Sequence, residues 1–251
     1  MNVRPLYCAG STPAARYAEF SLRQLGIPID EQPTQDTGYL LLDVPSFSGN
    51  HTFRGACSLD DLLNKVSADT IIFGGNLSQP ELIPFQKIDL LKDEEYLCQN
   101  AAITADCALQ LAMPKLTTTL SQSPTLIIGW GRIGKCLAQF LRSAGTPVTV
   151  AVRKPEQAAI LKALGFSTLF IHDIAEHSED FRLMINTVPY PILTETDLSK
   201  FRNCAMMDLA SRRGLESQNV LWARSLPGIH APESSGRLIA ETVMRYIKED
   251  Q

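Results

Sequence analysis

Short apolar runs alternate with amphipathic stretches along this chain, and the alternation occurs in two blocks. In the second block, Leu126-Ile127-Ile128 leads straight into Gly129-Trp130-Gly131-Arg132-Ile133-Gly134, after which Ile133, Leu137, Phe140 and Leu141 recur at helical spacing. An unbroken apolar run of this length reads as a strand buried on both faces, and the spacing after it as an amphipathic helix. Further strands are predicted at Val148–Val152, Thr168–Ile171, Leu183–Asn186, Ala205–Leu209 and Val220–Ala223, with a helix over Pro155–Leu164 that Gly165 stops. Six strands with helical crossovers predict a doubly wound parallel sheet, in which ligands sit beyond the carboxyl ends of the strands.

The first block is smaller. Leu6–Gly10 reads as a strand and Ser11-Thr12-Pro13 as a helix start, with Ala15, Phe20, Leu22 and Leu25 giving a helix that ends at Gly26-Ile27-Pro28. Tyr39–Val44 and Thr70–Gly75 read as two more strands, separated by a short helix carrying Leu59, Leu62, Leu63 and Val66. Residues 93–113 turn helical again, Pro114 ends that helix, and Thr117–Pro124 forms a polar linker. The expected fold is therefore α/β with two domains: a smaller N-terminal α/β domain at 1–112 and a C-terminal doubly wound Rossmann domain at 113–231. A last helix, 232–251, carries Leu238, Ile239, Val243 and Ile247 on one face and is expected to pack back on the N-terminal domain.

Composition narrows the partners. With 23 Lys+Arg against 27 Asp+Glu and no basic block, no nucleic-acid partner is expected. No apolar run approaches a membrane span and the first residues lack a signal-peptide layout, so a cytoplasmic protein is expected. The six cysteines are scattered without a Cys-x-x-Cys and read as reduced core thiols. His51, His172, His177 and His230 show no metal-ligand spacing, and no metal is predicted.

The glycine pattern carries the chemistry. Gly-x-Gly-x-x-Gly is weak alone, but between a strand and a helix it is the dinucleotide fingerprint in its required context. Gly129 permits the turn, Gly131 lets backbone approach a pyrophosphate and Gly134 allows close helix–strand packing. Trp130, Arg132 and Ile133 complete the cofactor-binding segment. Where an acid would bond the ribose of NAD, the second strand ends in Arg153-Lys154, which favours NADP with NAD possible; ordinary solvated charges at a helix start are the other reading. Asn186, Thr187, Val188 and Pro189 follow the fourth strand and are candidate cofactor contacts, or a turn whose polar side chains cap backbone groups.

Ser211, Arg212 and Arg213 follow the fifth strand. Guanidinium forks there suit a substrate bearing carboxylates, although adjacent loop arginines are often simply exposed. His230 lies in a predicted site loop before the last helix and is, with Ser211 and Arg213, a candidate catalytic residue, since its ordinary pKa suits proton transfer near neutrality. Ser234 and Ser235 would bind a carboxylate or cap that helix, and Arg237 follows as a further carboxylate candidate.

Taken together, Asn100–Ala108, Gly129–Gly134, Ile185–Pro189, Asp208–Ser211 and Leu226–Ile229, with Ala231-Pro232 and Gly236-Arg237 beyond, resemble the dipicolinate synthase A family. This family is distantly like alanine and 2-hydroxyacid dehydrogenases. The resemblance implies NADP-linked hydride transfer with a cyclic dicarboxylate related to dihydrodipicolinate, in sporulation, by a homo-oligomer with a flavoprotein-like second subunit. It also implies substrate-side roles for Asn100 and Thr104. The chain departs from the pattern at Ile103 and Cys107, which replace proline and glycine, and at Arg213 and Leu215, which flank Gly214 in a stretch that is normally Pro-Gly-Gly. His230 replaces a small apolar residue and Glu233 a lysine. Competing expectations are an NAD-dependent amino- or hydroxyacid dehydrogenase and a non-catalytic nucleotide-binding partner or regulatory protein.

Overall fold

A computed structural model describes residues 3–48, 52–55 and 57–249; His51 lies outside them. The chain divides into two compact units, one made of residues up to 100 together with 227 onward, the other of residues 101–226.

In the first unit, β1 (Leu6–Cys8), β2 (Tyr39–Leu41), β3 (Ile71–Gly74) and β4 (Lys87–Asp89) form a parallel sheet in the order β1-β2-β3-β4. The sequence pattern predicts three strands here; the fourth is a three-residue edge strand, Lys-Ile-Asp, too short and too polar to carry a period. Helix α1 (Pro13–Gln24) starts at the N-cap Thr12, while α2 (Leu59–Leu63) is capped by Ser58 and stops short of Val66. The core packs Leu40, Leu42, Phe47, Leu62, Ile72 and Leu82 together.

The long helix α3 (Glu94–Ala112) spans the division between the units, which falls at residue 100 rather than at 112. A continuous helix gives the sequence no signal of where packing partners change.

The second unit is a six-stranded parallel sheet in the order β10-β9-β8-β5-β6-β7. Its strands are β5 (Thr125–Ile128), β6 (Val148–Val152), β7 (Ser167–Phe170), β8 (Leu183–Asn186), β9 (Ala205–Asp208) and β10 (Val220–Trp222). The chain moves outward from β5 through β6 to β7, then returns to pair β8 on the other side of β5, which makes β5 and β8 the topological switch point. Helices α4 (Arg132–Ser143), α5 (Pro155–Ala163) and the single-turn α6 (Glu195–Leu198) connect the strands. Leu126, Ile128, Met184 and Met206 are buried at the centre, as both-face burial of a parallel sheet requires.

Residues 226–230 are not a loop but a short helix, α7, followed at once by α8 (Pro232–Glu249). A proline and a glycine inside Leu-Pro-Gly-Ile-His point to a turn; the helix forms because proline is tolerated in a first helical turn. In the first unit α8 packs on α1 so closely that a Cβ on Gly236 would lie 2.6 Å from the Ala14 carbonyl and 2.7 Å from the Ala18 nitrogen. Its far end is tied to the start of α3: Arg245 (2.7 Å) and the Tyr246 hydroxyl (2.6 Å) both donate to Asp93, which also accepts from the Tyr96 N–H at 2.7 Å. Among the described residues no helix is long and apolar enough to cross a membrane. The cysteines are all free thiols, but Cys57 and Cys98 are exposed, so the reading of them as core residues does not hold for these two.

Candidate functional site

The site begins where β5 ends. Gly129 has φ +102, and a Cβ on it would sit 2.6 Å from the Thr187 hydroxyl; on both counts glycine is needed. A Cβ on Gly134 would collide with the Gly129 carbonyl, so the third glycine is what lets α4 start against the strand. Gly131 differs from both. It is the N-cap of α4, gives no side-chain cap, and has nothing within 4 Å of where a Cβ would be. The first turn of α4 therefore starts without a side-chain cap and points its positive dipole end at open space, the arrangement that receives a phosphate. Trp130 is half-buried and packs edge-on against Phe166, with Lys135 over its face; Arg132 is exposed and Ile133 half-buried.

A cavity of about 520 Å³ opens from this turn and is bounded by Gly129, Gly131, Arg153, Lys154, Val188 and Tyr190 among others. Val152 is buried at the end of β6, while Arg153 and Lys154 are exposed and, among the described residues, have no acidic partner. The cavity lies at the carboxyl ends of β5, β6 and β8.

The loop after β8 is built around Asn186. Asn186 is fully buried: its amide donates to the Val188 carbonyl and to Asp208, both at 3.0 Å, and its oxygen accepts the Val188 N–H at 3.0 Å. Its donors are thus used within the fold, the arrangement of the alternative reading in which polar side chains of this turn cap backbone groups. Thr187 donates to the Ile128 carbonyl at 2.9 Å, which holds this loop to the end of β5. Val188 and Pro189 are half-buried, and Tyr190, which sequence reasoning passed over, stands two-thirds exposed on the cavity's rim.

Asp208 organises the next loop. Buried at the end of β9, its carboxylate accepts from Asn186 and from the N–H groups of Ala210 (2.9 Å), Gly214 (2.7 Å) and Leu215 (2.9 Å). Gly214 is confined, since a Cβ would approach the Asn186 amide and the Val188 carbonyl to 2.6 Å. The sequence signal for Asp208 was a charged residue closing an apolar strand; buried carboxylates of this kind are retained where several donors converge. Ser211, Arg212 and Arg213 lie exposed on the loop that Asp208 holds. Arg213 stacks over Trp222 at 5.7 Å, Arg224 lies over the same ring at 5.1 Å, and the indole N–H donates to the Ala210 carbonyl at 3.1 Å.

The remaining candidates are spread over the first unit and α3. His230 is exposed at the end of α7, so it sits on a helix end and not on a loop. Arg237 is exposed and ion-paired with Glu233 one helical turn before it. Ser235 is buried in α8 and Ser234 exposed. Asn100 and Thr104 are half-buried on α3, and both make polar contacts. Among the described residues no group of three or more His, Cys, Asp or Glu is placed to hold a metal ion.

A doubly wound sheet, a glycine turn at its switch point and a helix N-terminus without a side-chain cap facing a cavity define the class: a Rossmann-fold protein. No family model matches the chain. Its sequence is 28% identical over 243 residues to dipicolinate synthase A of Bacillus subtilis, covering 89% of this chain and 82% of that protein. Among solved structures it is similar to dipicolinate synthase A of Bacillus halodurans, with a TM-score of 0.83, 17% identity and 98% of each chain covered. It also shares its fold with an L-alanine dehydrogenase, with a TM-score of 0.65, 13% identity, and 90% of this chain and 75% of that one covered. The chain is a homologue of dipicolinate synthase A.

Proposed function

We propose that this chain is an NADP-dependent oxidoreductase acting on a cyclic dicarboxylate of the dihydrodipicolinate kind. The observation that carries the cofactor reading is the pair Arg153 and Lys154, unpaired among the described residues and exposed at the end of β6, on the same cavity as the open Gly131 turn. An acid at that strand end would accept the ribose hydroxyls of NAD; two cations instead favour a 2′-phosphate. The residues fit the group: the turn at Gly129–Gly131 leaves room for a pyrophosphate, and Val188 and Tyr190 supply apolar surface beside it.

When bound, the nicotinamide supplies hydride transfer to or from a ring carbon of the substrate. The chain's own residues bind, orient and handle the proton. Arg212 and Arg213 are proposed to grip substrate carboxylates, because a planar fork binds them bidentately and both guanidinium groups lack an acidic partner among the described residues. Ser211, on the same loop, and His230 are proposed to move the proton that accompanies the hydride, and Arg237, Asn100 and Thr104 to contact the substrate. Dipicolinate synthase A is named as one part of a larger enzyme, and the same reading makes this chain a homo-oligomer with a second, flavoprotein-like subunit.

Titrating the chain with NADPH and NADH, followed by nicotinamide fluorescence with and without dipicolinate, tests the reading. Tighter binding of NADPH, perturbed by dipicolinate, supports cofactor and substrate class together. Binding without response to dipicolinate sends the substrate reading to another acid, and failure of both nucleotides to bind leaves a non-catalytic partner protein.

A further inference from the structure

The opposite end of the six-stranded sheet carries a larger cavity, of about 660 Å³, that the cofactor reading does not use. It lies at the amino ends of β8, β9 and β10, beside the segment that leads from α3 into β5. Three cations line it: Lys115 from that segment, Arg182 from the residue before β8 and Arg202 from the turn before β9. No carboxylate is among the lining residues, although the chain as a whole carries a net charge of −4. The nearest acids in sequence to Arg182 do not neutralise it: Asp180 is paired with His177 at 2.8 Å, and the guanidinium touches only main chain, the carbonyls of Glu179 at 3.3 Å and Phe181 at 3.4 Å, both through one nitrogen. Asn203, Gln218 and Asn219 add side-chain amides that have no partner among the described residues.

We infer that this cavity is a second anion site, which takes a small organic anion carrying two or more phosphate or carboxylate groups between Lys115, Arg182 and Arg202. Three like charges lining one concave space raise its local potential, and a polyvalent anion offsets them. Guanidinium forks recognise either oxyanion, and the amides satisfy the remaining oxygens. The volume is larger than one inorganic phosphate needs and lies within the range of small-molecule sites. Burial pushes the Cys204 thiol in the cavity up to about 12, against the pull of the neighbouring Arg182 guanidinium. An anion bound here would join the segment entering β5 to the amino ends of β9 and β10, so the site suits a regulator of the second unit.

The test uses the full chain, titrated calorimetrically at low salt with inorganic pyrophosphate and, separately, with citrate. Wild type, the double variant Lys115→Gln/Arg202→Gln, and Arg153→Ala at the other end of the sheet are compared. Both replaced residues of the double variant are exposed, so folding is retained. The site is supported when the double variant loses about tenfold or more in affinity for a probe while Arg153→Ala changes it less than twofold. It is also supported when a two-site isotherm becomes a one-site isotherm in either variant. Preference for pyrophosphate assigns phosphorylated ligands and preference for citrate polycarboxylates. Amide hydrogen exchange must slow over residues 202–206 and 217–221 on binding. The inference is overturned if neither probe binds, or if Arg153→Ala abolishes binding while the double variant keeps it, because the anion then sits at the glycine turn.

Discussion

Each sheet of this molecule opens with a strand, a glycine-containing turn and a twelve-residue helix, yet the two helices are finished in opposite ways. At α1 the chain supplies its own anion. Thr12 caps the helix, accepting the Ala15 N–H, and the buried carboxylate of Asp43 accepts the N–H groups of Ser11 (3.0 Å) and Thr12 (3.2 Å) as well as both hydroxyls. At α4 the cap is Gly131, with no side-chain bond and open space above it. The same positive dipole end is present at both turns, although α1 begins with Pro13, which has no N–H of its own. One turn is closed by an internal carboxylate and contributes stability; the other is left unfinished, which is what a site for an external phosphate requires.

The sharpest way to break this contrast is within the glycine turn itself. Gly134→Val puts side-chain carbon against the Gly129 carbonyl and is expected to cost about 3 kcal/mol and to abolish nucleotide binding, read by urea unfolding and NADPH titration. Gly131→Ala meets nothing, so it should leave stability within about 0.5 kcal/mol of wild type while weakening NADPH about tenfold, because the methyl group occupies the pyrophosphate's approach. If both changes act alike, Gly131 is structural and the contrast fails.

At the closed turn the expectation reverses. Asp43→Ala removes the buried acceptor of the Ser11 and Thr12 N–H groups and hydroxyls and should destabilise the protein by about 1 kcal/mol with unchanged nucleotide affinity, a combination visible in paired denaturation and binding curves. Arg153→Ala should cost NADPH about tenfold and NADH less than twofold, with no change in the melt; equal losses for both nucleotides would remove the argument for the 2′-phosphate.

The smallest effect concerns the anchor of α8. Burial opposes ionisation of Asp93, but hydrogen bonds from Tyr246, the Tyr96 N–H and Arg245 outweigh it and hold the carboxyl below its ordinary 3.8. A depressed folded value means that this carboxylate's contribution is complete above about pH 4 and is lost as pH falls through that lower value. Tyr246→Phe should therefore cost about 1 kcal/mol at neutral pH and flatten the acid limb of a stability-versus-pH series, leaving NADPH affinity untouched. An unaltered acid limb would show that Asp93 is held by its other partners.

Apolar runs and helical spacing determined most of what could be legible along the chain. They placed the six strands of the second sheet and the glycine turn between its first strand and α4, because burial on both faces of a parallel sheet forces continuous apolar segments. Arg153 and Lys154 were legible for the same reason, as the residues that follow such a segment. Tertiary structure decided what depends on convergence from distant positions. The polar edge strand β4 pairs only because β3 offers its edge. Asn186 reads in sequence as either a cofactor contact or a turn residue capping backbone groups, and it is a buried brace because Asp208, 22 residues later, lies opposite it. Asp43 closes α1 from 31 residues beyond Thr12, a distance at which no local pattern could assign the carboxylate its donors. Lys115, Arg182 and Arg202 carry no motif at all; they meet because three strands begin at the same end of one sheet. Local periodicity encodes where a segment is buried, whereas the pairing of a buried polar group is a property of the assembled fold.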